Sequence, residues 1–369
     1  MPTLPENPVK RLLMTADAVG GVWTYALDLA GAVQAHGTRV TLAVMGPAPR
    51  ESQLNDARDR GLEVIHRPYS LEWMHRAADD FDRSGAWLLG LADRCGAELV
   101  HLNGFSHAGL PWRVPVLVVA HSCVRTWWRA VHGSDAPAEW DVYTVRVAAG
   151  LRAASLVVAP TRSLLEEIRR EYDVTAPSDV IPNGSSAVDM PPGDEAKKPL
   201  VFSSGRLWDE AKNVAAVCAV APQLPWPVYL AGSVDGGTGS FRSPRTAHYL
   251  GMLSRLEMAD WYFRASIYAL PARYEPFGLS IVEAAAAGCA LVLGDIRTLR
   301  ENWSGAALFV PPDDREALCD VIEDLINDDS GRAALGRLAR ERSAAFGVSQ
   351  MVDRYLAAYA GLLAPAPVG

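Results

Sequence analysis

Short apolar segments that alternate with helical patterns constrain the fold of this chain more than any other feature. In the first half, most of six such segments are apolar on both faces, which is typical of strands buried in a parallel sheet. They are Arg11–Ala16, Arg39–Val44, Glu63–His66, Glu98–Leu102, Val116–Ala120 and Leu156–Ala159. We predict helices between them, at an apolar stripe from Val22 to Val33 and at Trp73–Arg94 and Arg162–Tyr172.

The alternation stops at a polar segment, Ser185–Pro199, which follows the turn signal Asn183-Gly184 and which we predict to be a linker. It then restarts, with strands predicted at Leu200–Ser204, Val228–Ala231, Ser266–Leu270, Ala290–Leu293 and Ala307–Val310. A glycine-rich loop is predicted at Ser233–Thr246, and three helices at Asp314–Ile326, Gly331–Ala345 and Ser349–Leu363. The fold class is therefore α/β, with two doubly wound, Rossmann-like domains, since 369 residues exceed one ordinary domain. We place the first domain at 1–190, the second at 191–347, and the final helix at 348–369.

Charge and cysteine usage exclude several classes of protein. The formal net charge of −8 argues against nucleic acid or an anionic membrane as the main partner, because both favour a basic surface. The five cysteines are scattered without a C-x-x-C pair, which indicates reduced thiols and no zinc site. No apolar leader or membrane-length segment is visible, so we expect a cytoplasmic protein without membrane association. The sequence says nothing about the oligomeric state.

The strongest motif is Tyr274-Glu275-Pro276-Phe277-Gly278-Leu279-Ser280-Ile281-Val282-Glu283. It follows a predicted strand, and a helix is predicted from about Leu279. The positive end of that helix and its unpaired N–H groups suit a diphosphate. Two carboxylates, Glu275 and Glu283, flank it. By itself, Ser280-x-x-Glu283 also matches a capping box, in which the glutamate would bond the backbone.

Three other sets of residues lie at predicted strand ends, where α/β proteins bind ligands. Arg206 and Lys212 could stabilise negative charge on a leaving phosphate, although such a pair is commonly just solvated. His121 could bond a hydroxyl of a bound ligand or be a packed core residue. The Gly20-Gly21 turn is not a dinucleotide fingerprint, and a simple tight turn is an equal alternative.

Glu275 and Glu283 together resemble the E-x7-E motif of glycosyltransferase family 4, whose members are retaining enzymes of the GT-B fold. The resemblance extends over nearly the whole chain, through the Gly20-Gly21 loop, His121, the Ser204-Gly205-Arg206 segment with Lys212, and the Ser349–Leu363 helix. It implies two domains that face each other across a cleft, with the final helix crossing back to the first. It also implies transfer of a hexose from a UDP- or GDP-sugar to a hydroxyl acceptor.

The resemblance implies a role for each matching residue. His121 and Glu275 would be catalytic and contact the donor sugar, and Glu283 would hold the ribose. Arg206 and Lys212 would hold the diphosphate, so neither a metal ion nor a cofactor is expected. The remaining donor contacts would come from backbone N–H groups and the glycine loop, at Gly20, Gly21, Phe277, Gly278 and Leu279. No covalent nucleophile can be nominated, which favours displacement on the face of the leaving phosphate.

The acceptor region departs from the family pattern. Ser185-Ser186 follows Asn-Gly where an apolar residue and an aspartate are usual, and an aromatic segment follows His121. We predict that Trp127, Trp128 and Arg129 contribute to the binding of a soluble polar or glycan acceptor on the first domain. Packing of both indoles against the domain body is an even alternative.

Two rival functions stay open at this point: a nucleotide-sugar epimerase of the same fold, which would need no acceptor, and a non-catalytic sugar-binding module. The Asp80-Phe81-Asp82 sequence matches the D-x-D metal motif of another glycosyltransferase fold. It lies within a predicted helix and not at a strand end, so we interpret it as a solvated helix face.

Overall fold

The computed structural model describes residues 9–74, 77–189, 196–236, 239–240 and 246–364. The chain forms two compact units. The first comprises Met1–Thr126, Asp135–Gly184 and Val348–Gly369, and the second comprises Trp127–Ser134 and Ser185–Gly347. This division differs from the predicted domains in two respects, because residues 127–134 and residues 185–190 are grouped with the second unit.

The first unit contains a seven-stranded sheet in which all strands are parallel. Its strands are β1 (Arg11–Asp17), β2 (Arg39–Met45), β3 (Glu63–His66), β4 (Leu99–Leu102), β5 (Val116–Val119), β6 (Leu156–Ala159) and β7 (Ser178–Val180). They are arranged in the order β3-β2-β1-β4-β5-β6-β7. The six predicted strands are confirmed. The seventh, β7, has only three residues and no apolar pattern, so the sequence did not reveal it.

The second unit contains a six-stranded parallel sheet and a separate antiparallel pair of strands with two residues each. The strands of this unit are β8 (Lys198–Arg206), β9 (Val228–Ser233), β10 (Asp235–Gly236), β11 (Gly239–Ser240), β12 (His248–Tyr249), β13 (Ala265–Leu270), β14 (Ala290–Gly294) and β15 (Leu308–Val310). The sheet order is β12-β9-β8-β13-β14-β15. The five predicted strands are confirmed. The hairpin β10–β11 lies within the predicted loop, of which residues 237–238 and 241–245 are outside the described residues.

The helices alternate with these strands, as the two Rossmann-like patterns predict. They are α1 (Gly21–Ala35), α2 (Glu51–Asp59), α3 (Ala77–Cys95), α4 (Val124–His132), α5 (Asp141–Ala153), α6 (Arg162–Glu171), α7 (Val214–Val220), α8 (Arg255–Arg264), α9 (Leu279–Ala286), α10 (Arg297–Trp303), α11 (Arg315–Asn327), α12 (Asp329–Ser343) and α13 (Val348–Leu363). Across the described ranges, no helix combines the length and apolarity needed to cross a membrane. In the predicted linker, a short 3₁₀ turn covers Ser186–Asp189, and residues 190–195 are outside the described residues.

Burial explains why the strands are apolar on both faces. In β13, Tyr268 and Leu270 belong to one buried cluster, whereas Ile267 and Ala269 belong to another. Successive side chains of a strand point to opposite faces. Both faces of the second sheet are therefore covered by helices, and polar groups reach the surface mainly where strands end.

Candidate active site

The strand order of the second sheet places one ligand-binding edge between β8 and β13. The chain builds outward from β8 through β9 to β12, and then returns to continue from β13 to β15. In open α/β sheets, ligands bind outside the carboxyl ends of strands at such a reversal. Here β8 ends at Arg206 and β13 ends at Leu270. The predicted donor-binding residues of this unit all lie at the end of one of these two strands or after it.

The loop after β8 is organised by a buried aspartate. Asp209 Oδ2 accepts a hydrogen bond from Arg206 at 2.7 Å, and Asp209 Oδ1 accepts one from the Ala211 backbone N–H at 3.0 Å. The indole N–H of Trp127 donates to the same Oδ1 at 3.0 Å. Burial alone would raise the pKa of the Asp209 carboxyl, but the charges of Arg206 and Lys212 and these hydrogen bonds lower it. Asp209 is therefore an anion that orients Arg206.

Lys212 joins the loop after β8 to the loop after β13. Its ammonium group forms an ion pair with Glu275 Oε2, and the two side chains are only 16% and 8% exposed. Asn213, in the left-handed conformation with φ of 53°, donates from Nδ2 to the Pro271 carbonyl at 2.9 Å. The Thr298 hydroxyl donates to the Glu275 carbonyl at 2.6 Å. Lys212 and Glu275, each predicted separately to bind the donor, are thus held within a single network.

The N-terminal end of helix α9 is a candidate anion-binding site. Its N-cap is Gly278, with φ of 90°, and no side chain caps the helix. A Cβ on Gly278 would lie 2.6 Å from Ile281 Cδ1, so a larger residue would disturb the turn. The N–H groups of Leu279 and Ser280 make no hydrogen bond with other described residues. These groups and the helix dipole favour a phosphate at this position.

The capping-box alternative for Glu283 is wrong. The helix begins at Leu279, so Ser280 lies within its first turn and not at the N-cap. The Ser280 hydroxyl instead accepts a hydrogen bond from Tyr268 at 2.9 Å. Burial, and next the charge of Glu283, raise the pKa of the Tyr262 hydroxyl. Glu283 is therefore half-buried beside a tyrosine, one turn inside the helix.

Two buried tyrosines, which the sequence did not indicate as part of the site, form a hydrogen-bond network next to this helix. The Ser204 hydroxyl lies 2.9 Å from the Tyr262 hydroxyl and 3.1 Å from that of Tyr268. This network connects the end of β8 to the first turn of α9. Its members lie in apolar segments whose pattern predicts burial only, so the sequence carried no signal of their pairing.

The first sheet has its own reversal, between β1 and β4. Beyond β1, Gly20 precedes α1, which begins at Gly21. His121 follows β5, and its Nε2 lies 2.8 Å from Oδ1 of Asn103, the residue after β4. The His121 ring packs against the Tyr25 ring with centroids 4.5 Å apart. Burial lowers the pKa of His121 to about 3, so its imidazole is neutral at pH 7.

The predicted acceptor residues lie on α4 and are grouped with the second unit, not with the first-domain surface that we predicted. Trp127 and Trp128 are half-buried and Arg129 is exposed. The two indole rings contact each other, with centroids 5.8 Å apart, and both contact His132. The two indoles are therefore neither fully buried in a core nor fully exposed to a ligand. The Trp127 N–H is bonded to Asp209.

The aspartates of the D-x-D match lie within α3, as predicted, and Asp80 accepts hydrogen bonds from the Ser70 N–H and hydroxyl, both at 2.8 Å. Within the described ranges, no three His, Cys, Asp or Glu side chains are grouped so that they could hold a metal ion. The five cysteines, all described, form no disulfide.

Comparison with known families agrees with this arrangement. Residues 19–186 match the model of Glycosyltransferase Family 4, and residues 198–328 match that of Glycosyl transferases group 1. Together these ranges cover most of the chain, the first range mainly in the first unit and the second range within the second unit. The chain belongs to the family 4 glycosyltransferases. This family 4 glycosyltransferase is thus an enzyme that takes its sugar from a nucleotide-sugar donor, and the epimerase and binding-module alternatives are not favoured.

Individual relatives of this family 4 glycosyltransferase extend over nearly its full length. A D-inositol 3-phosphate glycosyltransferase of Xylanimonas cellulosilytica is 26% identical, with 94% of this chain and 92% of the relative aligned. The solved structure of a sucrose-phosphate synthase from Thermosynechococcus elongatus is similar, with a TM-score of 0.79, 19% identity, and coverage of 96% and 99%. The Anabaena protein HepE, solved with UDP and glucose, has a TM-score of 0.73, 15% identity, and coverage of 95% and 99%. The fold is therefore GT-B.

Proposed function

We propose that this glycosyltransferase moves a hexose from a UDP- or GDP-hexose to a hydroxyl of a soluble polar acceptor, with retention of anomeric configuration and without a metal ion. The observation that carries the proposal is the pair of cations at the β8–β13 reversal. Arg206 is oriented by Asp209, and Lys212 is oriented by Glu275, beside the start of α9. Two fixed positive charges and free helix N–H groups suit the diphosphate of a nucleotide sugar.

Each donor group has a matching protein group in this unit. Arg206 offers a planar fork to phosphate oxygens, and Lys212 offers a point charge. Only Oε2 of Glu275 pairs with Lys212, so Oε1 is left to accept from sugar hydroxyls. Glu283 would accept from the ribose hydroxyls. UDP is our first choice of nucleotide because a structural neighbour was solved with UDP and glucose. GDP is tested beside it, because the sequence does not distinguish the two bases.

The reaction is a displacement at the anomeric carbon. The bond between that carbon and the phosphate oxygen breaks, and the bond to the acceptor oxygen forms on the same face. The acceptor proton passes to the departing phosphate oxygen, which keeps charge and atoms balanced. Negative charge grows on the nucleoside diphosphate as the bond breaks, and Arg206 and Lys212 stabilise it.

The acceptor is the finer part of the proposal. The exposed Arg129 guanidinium could bind a carboxylate or phosphate, and the half-buried indoles of Trp127 and Trp128 offer stacking surface. The relative from Xylanimonas cellulosilytica is named for D-inositol 3-phosphate. We therefore propose a small polyol, free or phosphorylated, as the first acceptor class to test.

The proposed function predicts acceptor-dependent release of nucleoside diphosphate. We expect one of UDP-, GDP- and ADP-hexoses, incubated with polyols and polyol phosphates, to release nucleotide only when the correct acceptor is present. The product should keep the donor's anomeric configuration, which the anomeric proton coupling in NMR measures. Isomerised donor without acceptor would indicate an epimerase, and binding without nucleotide release would indicate a binding module. An inverted product would refute retention.

Metal independence is a second expected result. Because Arg206 and Lys212 supply the positive charge, turnover should be unchanged, within about twofold, by an excess of EDTA. Nucleotide release should be measured directly by chromatography, so that no metal-dependent coupling enzyme is present. Loss of activity that Mg²⁺ or Mn²⁺ restores would contradict this part of the proposal and leave the donor assignment intact.

A further inference from the structure

Asn103 follows β4 at the reversal of the first sheet, and two hydrogen bonds to Thr15 fix its position. Its backbone N–H lies 2.8 Å from the Thr15 hydroxyl oxygen, and its Nδ2 lies 2.6 Å from the Thr15 carbonyl oxygen. A backbone carbonyl can only accept a hydrogen bond, so the amide NH₂ must face Thr15. The other amide atom, Oδ1, is therefore the one that faces the histidines, and it too can only accept.

The orientation of the amide determines where the proton of His121 lies. Nε2 of His121 is 2.8 Å from Oδ1 of Asn103, so Nε2 must carry the hydrogen. The neutral ring then has an unprotonated Nδ1. No residue in the described ranges forms a hydrogen bond to that nitrogen, and the ring is half-buried, not fully enclosed. His121 thus presents an acceptor, not a donor, to whatever lies beside it.

A second histidine, His101, lies beside the same amide oxygen. Nε2 of His101 is 3.3 Å from Oδ1 of Asn103, and Nδ1 of His101 is 2.7 Å from the Tyr359 hydroxyl. The Tyr25 hydroxyl also lies 3.2 Å from Nε2 of His101, so this nitrogen has two polar neighbours, Tyr25 and Asn103. The Asn103 amide oxygen thus lies near a ring nitrogen of each histidine, with the shorter contact to His121. The two histidines differ in that His101 is fully buried with both nitrogens bonded, whereas His121 keeps one nitrogen for a ligand.

We infer that Asn103 is a positioning residue that fixes His121 as its Nε2–H tautomer, so that Nδ1 accepts a hydrogen bond from a hydroxyl of the bound sugar substrate. The inference rests on the proposed function only for the identity of the ligand as a sugar. It adds a requirement on the substrate. The hydroxyl that faces His121 must donate, so an analogue with fluorine or a methyl ether at that hydroxyl should bind less well than one with a free hydroxyl.

The tautomer can be measured without any substrate. In ¹⁵N-histidine-labelled enzyme, the ring nitrogens of His121 should show the shifts of a fully Nε2–H tautomer, with the signal assigned by its loss in His121→Gln. In Asn103→Leu, which removes the acceptor, part of the population should shift to the Nδ1–H form. kcat should fall about tenfold, the loss expected for one neutral hydrogen bond, with nucleoside diphosphate affinity unchanged.

Asn103→Asp tests the same idea by pH and does not depend on the leucine variant folding. An aspartate still accepts from Nε2, but its negative charge raises the pKa of His121. Below that raised pKa the ring is an imidazolium, Nδ1 carries a proton, and it can no longer accept. Asn103→Asp should therefore be active at high pH and lose activity as pH falls through the raised pKa, whereas the wild type should not. Asn55→Asp, the same change at an exposed position of the same unit, should behave as wild type.

Three results would overturn the inference. The first is a wild-type His121 in the Nδ1–H form. The second is an Asn103→Leu enzyme with unchanged tautomer and kcat, and the third is an Asn103→Asp enzyme whose activity rises as pH falls. The NMR result does not depend on turnover. If no nucleotide sugar is consumed, the proposed function fails while the tautomer assignment is still tested.

Discussion

Replacing Lys212 with Met should lower kcat for sugar transfer by about 10²–10³-fold, because the variant loses a fixed positive charge at the leaving diphosphate. The same change should also destabilise the second unit. Glu275 would remain in a site where its side chain is only 8% exposed, without its counter-ion. Breaking a buried ion pair by removing one partner costs about 3–5 kcal/mol, so a lower free energy of unfolding is expected in denaturant titration.

A double variant separates these two effects. In Lys212→Met with Glu275→Gln, no buried charge is left unpaired, so most of the lost stability should return. Turnover should stay low, because neither group needed for the donor is present. Lys198→Met, at an exposed lysine that begins β8, is the matched control and should leave turnover unchanged. If Lys212→Met turns over donor within a few-fold of wild type, the charge role is wrong, whatever happens to stability.

The pairing of Lys212 with Glu275 was beyond the reach of sequence analysis, although both residues were predicted to bind the donor. The strand pattern placed each of them correctly after β8 and β13, since apolar strands and the sheet reversal are visible as alternation. The contact itself joins positions 63 residues apart and depends on the conformation of two loops. The left-handed Asn213 and the positive φ at Gly278 set those conformations. Neither conformation follows from periodicity.

Asn103 and Asp209 show the same limit for the candidate site. Both are short polar residues after a strand, a position at which polar residues are ordinary, so neither stood out in the sequence. Their importance comes from what they orient: His121 in one case, Arg206 in the other. Family resemblance in the sequence predicted the residues that are expected to contact the substrate. It could not predict the residues that hold them, because such contacts are made by tertiary packing that leaves no spacing rule.

Replacing each of the two glutamates of the E-x7-E motif with alanine should have a different effect on donor binding and turnover. Glu283→Ala should weaken the binding of the free nucleoside diphosphate by about 1.5–3 kcal/mol, since it removes charge-assisted hydrogen bonds to the ribose. Glu275→Ala should not weaken the affinity for the free nucleoside diphosphate, because it removes the carboxylate that competes for Lys212. It should, however, lower the turnover of the sugar donor. Isothermal titration with UDP and GDP, together with turnover assays, measures both effects.

The structure sharpens what would contradict this prediction. Glu283 does not cap α9, because the N-cap is Gly278 and Ser280 bonds Tyr268, so no cap is lost in Glu283→Ala. The variant should keep a Tm close to that of Glu316→Ala, a control at an exposed glutamate in the same unit. A Glu283→Ala enzyme that melts early yet binds nucleoside diphosphate as well as wild type would show that the residue serves the fold and not the ribose. Equal loss of nucleotide affinity in both glutamate variants would show that the two carboxylates do not bind different parts of the donor as proposed.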